Sequence, residues 1–151
     1  MTQEDKQLLL KDLYARAPYG VMCWVPNGSG AVCKLRGIVN DTCYFDDNPR
    51  YGYSYSVEWL KPYLRPMSSM TEDEREEIEV LIFNEWYQED SCKIDKEGWI
   101  EILANYDVSG IDPCFCSDYV DWLNAHYFDY RGLIERGLAI EVTEQNNPYK
   151  N

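Results

Sequence analysis

The chain has 151 residues, with 27 acidic residues against 14 lysines and arginines, six cysteines and one histidine. With 45% hydrophobic residues it can form a buried core, which excludes a wholly disordered chain. The net charge of −13 repels phosphate backbones and anionic lipids, so it argues against direct nucleic-acid and membrane binding. No apolar run approaches the roughly 18 residues of a membrane span, and the start lacks a signal-peptide pattern. We therefore expect a cytoplasmic protein.

Residues 3–16 have the apolar spacing of a short amphipathic helix. Leucines recur at helical intervals, and the pattern places Lys6, Lys11 and Asp12 on other faces. Pro18 ends this helix because proline cannot continue the backbone hydrogen bonding.

From Tyr19 onward the apolar residues alternate with their neighbours, as is typical of strands. Two such stretches flank a turn at residues 26–30, and two more follow at residues 43–45 and 53–59. Four short strands in about forty residues predict an antiparallel meander, of which a small SH3-type barrel is one form.

Three cysteines recur at the interval of this strand repeat. If Val25 pairs with Ala31, Cys23 lies opposite Cys33, and Cys43 can share their face of the sheet. A zinc site normally takes four ligands from closely spaced pairs, which this spacing does not provide. We interpret the three cysteines as small core residues and expect no disulfide in a reducing cytosol.

The acidity is concentrated in the second half of the chain. Residues 1–66 contain eight basic and seven acidic residues, whereas residues 67–151 contain six basic and twenty acidic ones. Pro62 and Pro66 mark the same boundary, since each disfavours helix in the residue before it. The sequence therefore predicts a helix-plus-meander lobe at 1–66 and an acidic, mainly helical lobe at 67–151, packed together as one compact α+β unit.

The densest acidic stretch begins with a capping box, in which Thr71 and Glu74 satisfy each other's backbone amides. The helix dipole favours acids in the first turn, but it explains the later ones only in part. The stretch is either a solvated helix face or an anionic docking surface. The candidate docking residues are Glu72, Asp73, Glu76, Glu77 and Glu79.

Most of the remaining second half is predicted to be helical. Apolar residues between Ile78 and Tyr87 cover several sides of the acidic helix, so we expect that helix to be buried on more than one side. Residues 96–106 fit either a helix or a short strand, and we favour a helix. We expect Ser117 to cap the next helix.

The C-terminal region has one clear local signal. Residues 130–138 predict a short helix that Gly137 closes in the left-handed conformation. A final strand is predicted over residues 138–142, followed by a frayed tail at residues 144–151.

No residue pattern indicates an enzyme. His126 is the single histidine, and the chain has no nucleophile elbow, P-loop or glycine-rich dinucleotide motif. Cys114, Cys116 and His126 remain one ligand short of a metal site unless Cys92 or a carboxylate joins them. Residues 107–112 do not begin a calcium loop, because the sixth position, where an EF-hand needs glycine, is Asp112. We therefore expect no catalytic residue, no metal and no cofactor.

The aromatic residues of the meander suggest a different kind of site. Tyrosine and tryptophan are common in interfaces because they supply contact area at low entropic cost. A pocket between the sheet and the helices is one alternative, and it would bind a small molecule or a peptide. Its candidate lining residues are Trp24, Tyr53, Tyr55 and Trp59, with His126 or Arg131 as the polar anchor.

Two longer segments resemble a known family. Residues 60–72 and 121–139 read LKPYLRPMSSMTE and DWLNAHYFDYRGLIERGLA, and residues 5–13 and 18–21 are similar too. They resemble small uncharacterised proteins carried by prophages and other mobile elements of gut anaerobic bacteria. The resemblance implies a bacterial host, an intracellular site and a mobile-element origin, but no activity.

These observations lead to one principal hypothesis. The protein is a non-enzymatic interaction protein that docks a host or phage protein with a basic surface through its acidic half. A narrower version is a nucleic-acid mimic that occupies the basic groove of a nucleic-acid-binding protein. The aromatic pocket is the alternative.

Overall fold

A computed structural model describes residues 1–45, 53–83, 92–102 and 113–150, apart from the side chains at 53, 82–83, 92–93, 101–102 and 113–116. Within these ranges the protein is α+β, as predicted. The helices are α1 (Gln3–Arg16), α2 (Glu72–Phe83) and α3 (Pro113–Ala125). The strands are β1 (Met22–Val25), β2 (Ala31–Val39), β3 (Thr42–Phe45), β4 (Tyr53–Ser56), β5 (Lys61–Leu64), β6 (Cys92–Ile94), β7 (Ile100–Ile102) and β8 (Ile140–Glu141).

The chain folds into two compact units. Unit 1 comprises Met1–Arg65 together with Asp129–Asn151, and unit 2 comprises Pro66–Phe128. Unit 2 is therefore an insertion in the chain of unit 1. The sequence division was placed after residue 66, and its second lobe, residues 67–151, spans most of unit 2 together with the last segment of unit 1.

Unit 1 contains α1 and a six-stranded sheet. Thr2 caps α1, its side chain accepting a hydrogen bond from the Asp5 amide at 3.1 Å. The strand order is β4-β3-β2-β1-β5-β8. Neighbouring strands are antiparallel, except that β5 and β8 are parallel. The four predicted strands are all present, and β5 adds a fifth to the meander.

The register places the predicted residues opposite each other. Val25 pairs with Ala31, and Cys23 pairs with Cys33. Further along, Leu35 pairs with Phe45, after which a bulge shifts the register between β2 and β3. Because side chains alternate across a strand, these pairs define an inner face that carries the buried core of unit 1.

The sequence pattern missed β5 because of Pro62. Proline cannot donate to a strand ladder, so it argues against a central strand. In the structure Pro62 pairs with Cys23 of β1, while Tyr63 pairs with Ile140 of β8 on the other side. No strand was predicted for this segment, and it forms a central strand in which the side chains of Pro62 and Leu64 are buried.

The predicted frayed tail is wrong for the part that the structure describes. The Tyr149 hydroxyl accepts from the Met22 amide at 3.1 Å and donates to the Tyr63 carbonyl at 2.8 Å. The hydroxyl thus bridges β1 and β5 directly beyond their last ladder pair. Asn146 supports the tail by accepting from the Thr143 amide and donating to the Glu141 carbonyl.

Unit 2 consists of α2, α3 and a hairpin of β6 and β7, and the two helices pack against each other. The predicted helix at 96–106 is wrong at Ile100–Ile102, which forms β7. Gly98 explains the difference, because its φ of +87° makes the turn that returns the chain. A Cβ at Gly98 would also approach the Met70 methyl to 2.6 Å. Residues 103–106 lie outside the described part of the chain.

Two predicted helix ends also differ in detail. Helix α3 begins at Pro113, so Ser117 lies inside it and does not cap it. Proline is favoured at the first helical position, where no partner for its amide is needed. Residues Leu133–Gly137 form a hydrogen-bonded turn, shorter than the predicted helix. Gly137 has the predicted left-handed conformation, with φ of +70°.

We expect Tyr149→Phe to lower the free energy of unfolding by about 1–3 kcal/mol, because it leaves the Met22 amide and the Tyr63 carbonyl without their shared partner. Urea unfolding followed by circular dichroism measures this loss. Tyr14→Phe is the matched control, since the exposed Tyr14 hydroxyl contacts only the Asn40 carbonyl, at 3.3 Å, among the bonds described. Equal stability of the two variants would contradict the bridging role of Tyr149.

Candidate functional site

The charge divides cleanly between the two units. Unit 1 contains eleven basic and eleven acidic residues and is formally neutral. Unit 2 contains three basic and sixteen acidic residues, so it carries the whole net charge of −13. Dividing the chain by units therefore separates the charge more completely than dividing it at Pro66. The reason is that the last segment, Asp129–Asn151, which has four acids and three bases, belongs to the neutral unit.

Helix α2 begins with the predicted capping box. The Thr71 amide donates to the Glu74 carboxylate at 2.9 Å, and the Glu74 amide donates to the Thr71 hydroxyl at 3.2 Å. These reciprocal bonds satisfy two amides that no helical carbonyl can reach. The cap fixes the first turn, and with it the direction in which each later acidic side chain points.

The five candidate docking residues divide into two groups. Glu72 pairs with Arg75 at 3.1 Å, and Arg75 also donates to the Lys96 carbonyl at 2.7 Å. Glu79 is only half-exposed. Asp73, Glu76 and Glu77 are exposed.

We call the exposed surface formed by Asp73, Glu76, Glu77 and Val80 the acidic ridge. Its members are three, four and seven residues apart, which places them on one side of the helix. Val80 follows the three carboxylates at the C-terminal end of the ridge and is 74% exposed. Burial of Val80 and Leu81 was predicted and is wrong, since Leu81 is exposed as well. Ile78, on the opposite side, is fully buried.

The predicted aromatic pocket residues do not share one face of the sheet. Tyr55 pairs with Cys43 and so belongs to the inner face. Trp24 neighbours Cys23 in β1 and therefore points to the opposite face. Trp59 lies on a 3-10 turn, Val57–Trp59, and is 64% exposed. The side chain of Tyr53 lies outside the described part of the structure.

The two predicted polar anchors belong to different units and have partners of their own. His126, in unit 2, stacks on Trp122 with ring centroids 3.8 Å apart, and its Nδ1 lies 2.9 Å from the Trp122 carbonyl. Arg131, in unit 1, lies 3.3 Å from Asp12 and donates to the Tyr130 hydroxyl at 2.9 Å. These contacts give both side chains a structural role.

The charged centre of unit 1 is Asp12, which is fully buried near the C-terminal end of α1. The Arg16 guanidinium donates to both of its carboxylate oxygens, at 2.8 and 3.0 Å. Arg131 approaches the same carboxylate from the C-terminal segment. The Tyr130 ring lies beside both guanidiniums, whose Cζ atoms are 5.4 Å and 4.8 Å from the ring centroid for Arg16 and Arg131. Cation–π attraction therefore adds to the ion pairs.

Sequence reasoning missed this cluster because it placed Asp12 on an outer face of α1. A signal was present, since Asp12 and Arg16 are four residues apart with the acid first, which is the favourable orientation of a helical ion pair. That spacing is equally common on exposed helices, and burial of both partners comes from tertiary packing that no local pattern reports.

The three cysteines of the meander, Cys23, Cys33 and Cys43, are buried and unbridged. Burial raises the pKa of the Cys23 thiol well above its usual range, and the charges of Cys43 and Cys33 act in the same direction. Burial likewise raises the pKa of Cys43 to about 12. Protonated, enclosed thiols are poor nucleophiles and poor metal ligands, which agrees with their interpretation as core residues.

In the part of the chain that the structure describes, no three His, Cys, Asp or Glu side chains are placed to hold a metal ion. The thiol groups of Cys92, Cys114 and Cys116 and the loop at 107–112 lie outside that part, so the metal arrangements considered for them have no structural test. Among the described helices, none combines the length and the apolar character required to cross a membrane.

Comparisons with family models, with curated proteins and with solved structures give no match to this chain.

We expect Asp12→Asn to lower the free energy of unfolding by about 3–5 kcal/mol, because it leaves two buried or half-buried guanidiniums without their shared carboxylate. Chemical denaturation at neutral pH measures the change. Asp118→Asn is the control, because Asp118 is an exposed acid on α3. This variant should unfold at the wild-type midpoint. A loss below about 1 kcal/mol for Asp12→Asn would contradict the central role of the cluster.

The raised pKa of Cys43 predicts a pH-dependent stability. The unfolded thiol ionises near pH 9 and the folded thiol near pH 12, so the unfolded state loses its proton first and stability falls as pH rises between these values.

Mass-spectrometric mapping after iodoacetamide treatment at pH 8 should find Cys23 and Cys43 unmodified in the native protein and modified in urea. Rapid native modification of either thiol would contradict its enclosure.

Proposed function

We propose that this protein is a non-enzymatic interaction protein of a phage or mobile element, and that it docks a host or phage protein with a basic surface through the acidic ridge of α2. The supporting observation is the ridge itself. Three exposed carboxylates precede an exposed valine on one side of a capped helix, and Ile78 on the other side is buried.

The composition of the ridge indicates the chemistry of its partner. Exposed carboxylates attract a basic surface over distances up to the screening length, about 8 Å at physiological salt. Val80 adds an apolar contact that releases water on binding, and this contact does not weaken with salt. A partner with lysine or arginine side chains around a small apolar pocket is complementary to both features.

The geometry supports local docking more strongly than mimicry of a nucleic acid. The helical rise of about 1.5 Å per residue separates Asp73 and Glu77 by only about 6 Å along the axis. Three carboxylates over one turn match one or two basic side chains of a partner. A mimic that fills a long basic groove needs a longer row of carboxylates, and within the described residues the ridge extends no further.

We further propose that the meander of unit 1 is an SH3-type barrel acting as a scaffold. Its first five strands are ordered β4-β3-β2-β1-β5, a bulge bends the long β2, and a 3-10 turn precedes β5. A long bent strand can pair with neighbours at both of its ends, which is how a short meander curls into a barrel. A cytoplasmic location accompanies this proposal and follows from the sequence expectation.

The alternative function, a small-molecule or peptide pocket, has less support. Trp24 and Tyr55 belong to opposite faces of the sheet, and His126 and Arg131 already contact neighbouring side chains. The aromatic set chosen from the sequence therefore does not converge on one cavity in unit 1.

The test compares two triple variants that lose the same charge. We expect Asp73→Asn with Glu76→Gln and Glu77→Gln to weaken capture of the partner by about threefold to a hundredfold, because exposed ion pairs contribute about 0.2–1 kcal/mol each. Glu135→Gln with Glu141→Gln and Glu144→Gln removes three exposed acids from unit 1 and should capture the partner normally. The readout is the amount of each protein retained from a host lysate at 50 and 300 mM salt.

Val80→Ser separates the two contributions to binding. It should weaken capture at both salt concentrations. The triple variant of the ridge should capture less partner than the wild type at 50 mM salt but a similar amount at 300 mM salt. Equal capture by the two triple variants at low salt would sink the proposal, because it would show that the net charge matters and the position of the acids does not.

A further inference from the structure

The sheet of unit 1 has a second surface that the proposed function does not use. The inner face carries the buried core, so the alternate positions of the strands define an outer face. Register places Lys61 of β5, Trp24 of β1 and Val32 of β2 in one row across this face. We use the name outer face for the surface formed by Trp24, Val32, Lys34, Arg36, Tyr44 and Lys61.

The outer face is positively charged. Lys34 and Arg36 follow each other along β2, and Lys61 lies on the far side of Trp24. Arg36 and Lys61 are exposed, and Lys34 is half-exposed. Among the described strand residues that point to this face, there is no aspartate or glutamate, although unit 1 as a whole is neutral. Three of the eleven basic residues of unit 1 therefore lie together on a face whose described strand residues include no acid.

The same face presents aromatic and apolar side chains beside the cations. Tyr44, on β3, lies opposite Gly37 of β2 and is 44% exposed. Trp24 is partly exposed, and its indole lies so close to Gly30 that a Cβ there would collide with it. Glycine at this turn therefore leaves room for the indole, which stays partly exposed.

A concave groove adjoins the outer face. It has a volume of about 330 Å³, and it is lined by the segment Ala17–Gly20 on one side and Lys34–Arg36 on the other. Its lining includes Tyr19 and the basic residues Lys34 and Arg36, and the Lys34 stem crosses directly over Gly20. A groove of this composition suits a planar group that bears a negative charge.

The net charge of the protein does not exclude an anionic ligand here. All of the −13 lies in unit 2, and unit 1 is neutral. The charged groups that a ligand touches on the outer face are the cations Lys34, Arg36 and Lys61. The sequence expectation against nucleic acid used the charge of the whole chain and does not describe this one surface.

We propose that the outer face and its groove bind single-stranded nucleic acid. Lys34, Arg36 and Lys61 contact phosphates, and Tyr44, Trp24 and Tyr19 stack against unpaired bases. Binding of single strands characteristically combines a cationic track with aromatic platforms, because every base has a flat face and every nucleotide a charge. An acidic protein segment would use the cations, but it would leave the aromatic rings without a matching partner.

Fluorescence anisotropy of the full chain with a labelled 15-nucleotide oligothymidine at 50 mM salt tests the proposal. We expect Lys34→Ala with Lys61→Ala to weaken binding at least tenfold and to reduce the slope of log affinity against log salt by about 1.4, since each phosphate contact contributes about 0.7. Lys11→Ala with Lys150→Ala is the charge-matched control, because both lysines are exposed elsewhere in unit 1. It should bind like the wild type.

A second pair of variants tests stacking. Tyr44→Ala should weaken binding about tenfold, whereas Tyr14→Ala, which removes an exposed tyrosine from α1, should not. Circular dichroism checks that each variant is folded. No binding by the wild-type protein at 50 mM salt would overturn the proposal.

Two competitors distinguish other anions from single strands. Duplex DNA of the same length that competes equally would overturn the stacking role. Poly-glutamate that competes as well as unlabelled oligothymidine would show that the surface takes acidic protein segments, and this result too would overturn the proposal. Competition by the single strand alone supports it.

Discussion

Asp12 determines the organisation of unit 1 because its carboxylate is buried and must be neutralised where it lies. An uncompensated buried charge costs several kcal/mol, and two guanidiniums remove that cost here. Arg16 comes from the same helix, four residues later, but Arg131 comes from the last segment of the chain. The carboxylate that Arg16 and Arg131 share therefore links the two ends of the sequence. Tyr130, beside both guanidiniums, strengthens the same junction.

Asp129, which directly precedes Tyr130, completes the closure of unit 1. The Asp129 amide donates to the Arg65 carbonyl at 2.7 Å, so the chain leaves unit 1 and returns to it at adjacent points. The Asp129 carboxylate accepts from the Leu133 and Ile134 amides at 2.9 and 2.8 Å. The turn closes at Gly137, where the Gly137 amide donates to the Ile134 carbonyl and the Leu138 amide donates to the Leu133 carbonyl. The turn then directs the chain into β8, alongside β5. A single short segment thus fixes the insertion point, the last strand and the buried ion cluster.

Local chemistry made part of this fold predictable. The Thr71–Glu74 cap, the pairing of Cys23 with Cys33 and the left-handed Gly137 each depend on residues close in sequence, and each is present in the structure. What could not be predicted depends on distant partners. Pro62 occupies a central strand because the Tyr149 hydroxyl bridges the neighbouring backbone groups, and Asp12 is buried because Arg131 reaches it. The candidate site follows the same rule. The acidic stretch was visible in the sequence, whereas the exposure of Val80 and the outer face of the sheet depend on packing and register.

The separation of charge gives the two proposed surfaces independent roles. If the acids were spread over the whole protein, they would repel any anion from the sheet and would also draw a basic partner without a defined orientation. Because unit 2 holds the entire net charge, its ridge can attract a basic protein while the sheet of unit 1 keeps a cationic face. An inserted unit is a simple way to achieve this, since adjacent chain ends allow an insertion to join a scaffold without disturbing its core. Net charge is therefore a property of unit 2, and the surfaces of each unit, not the sum over the chain, determine which ligands it can bind.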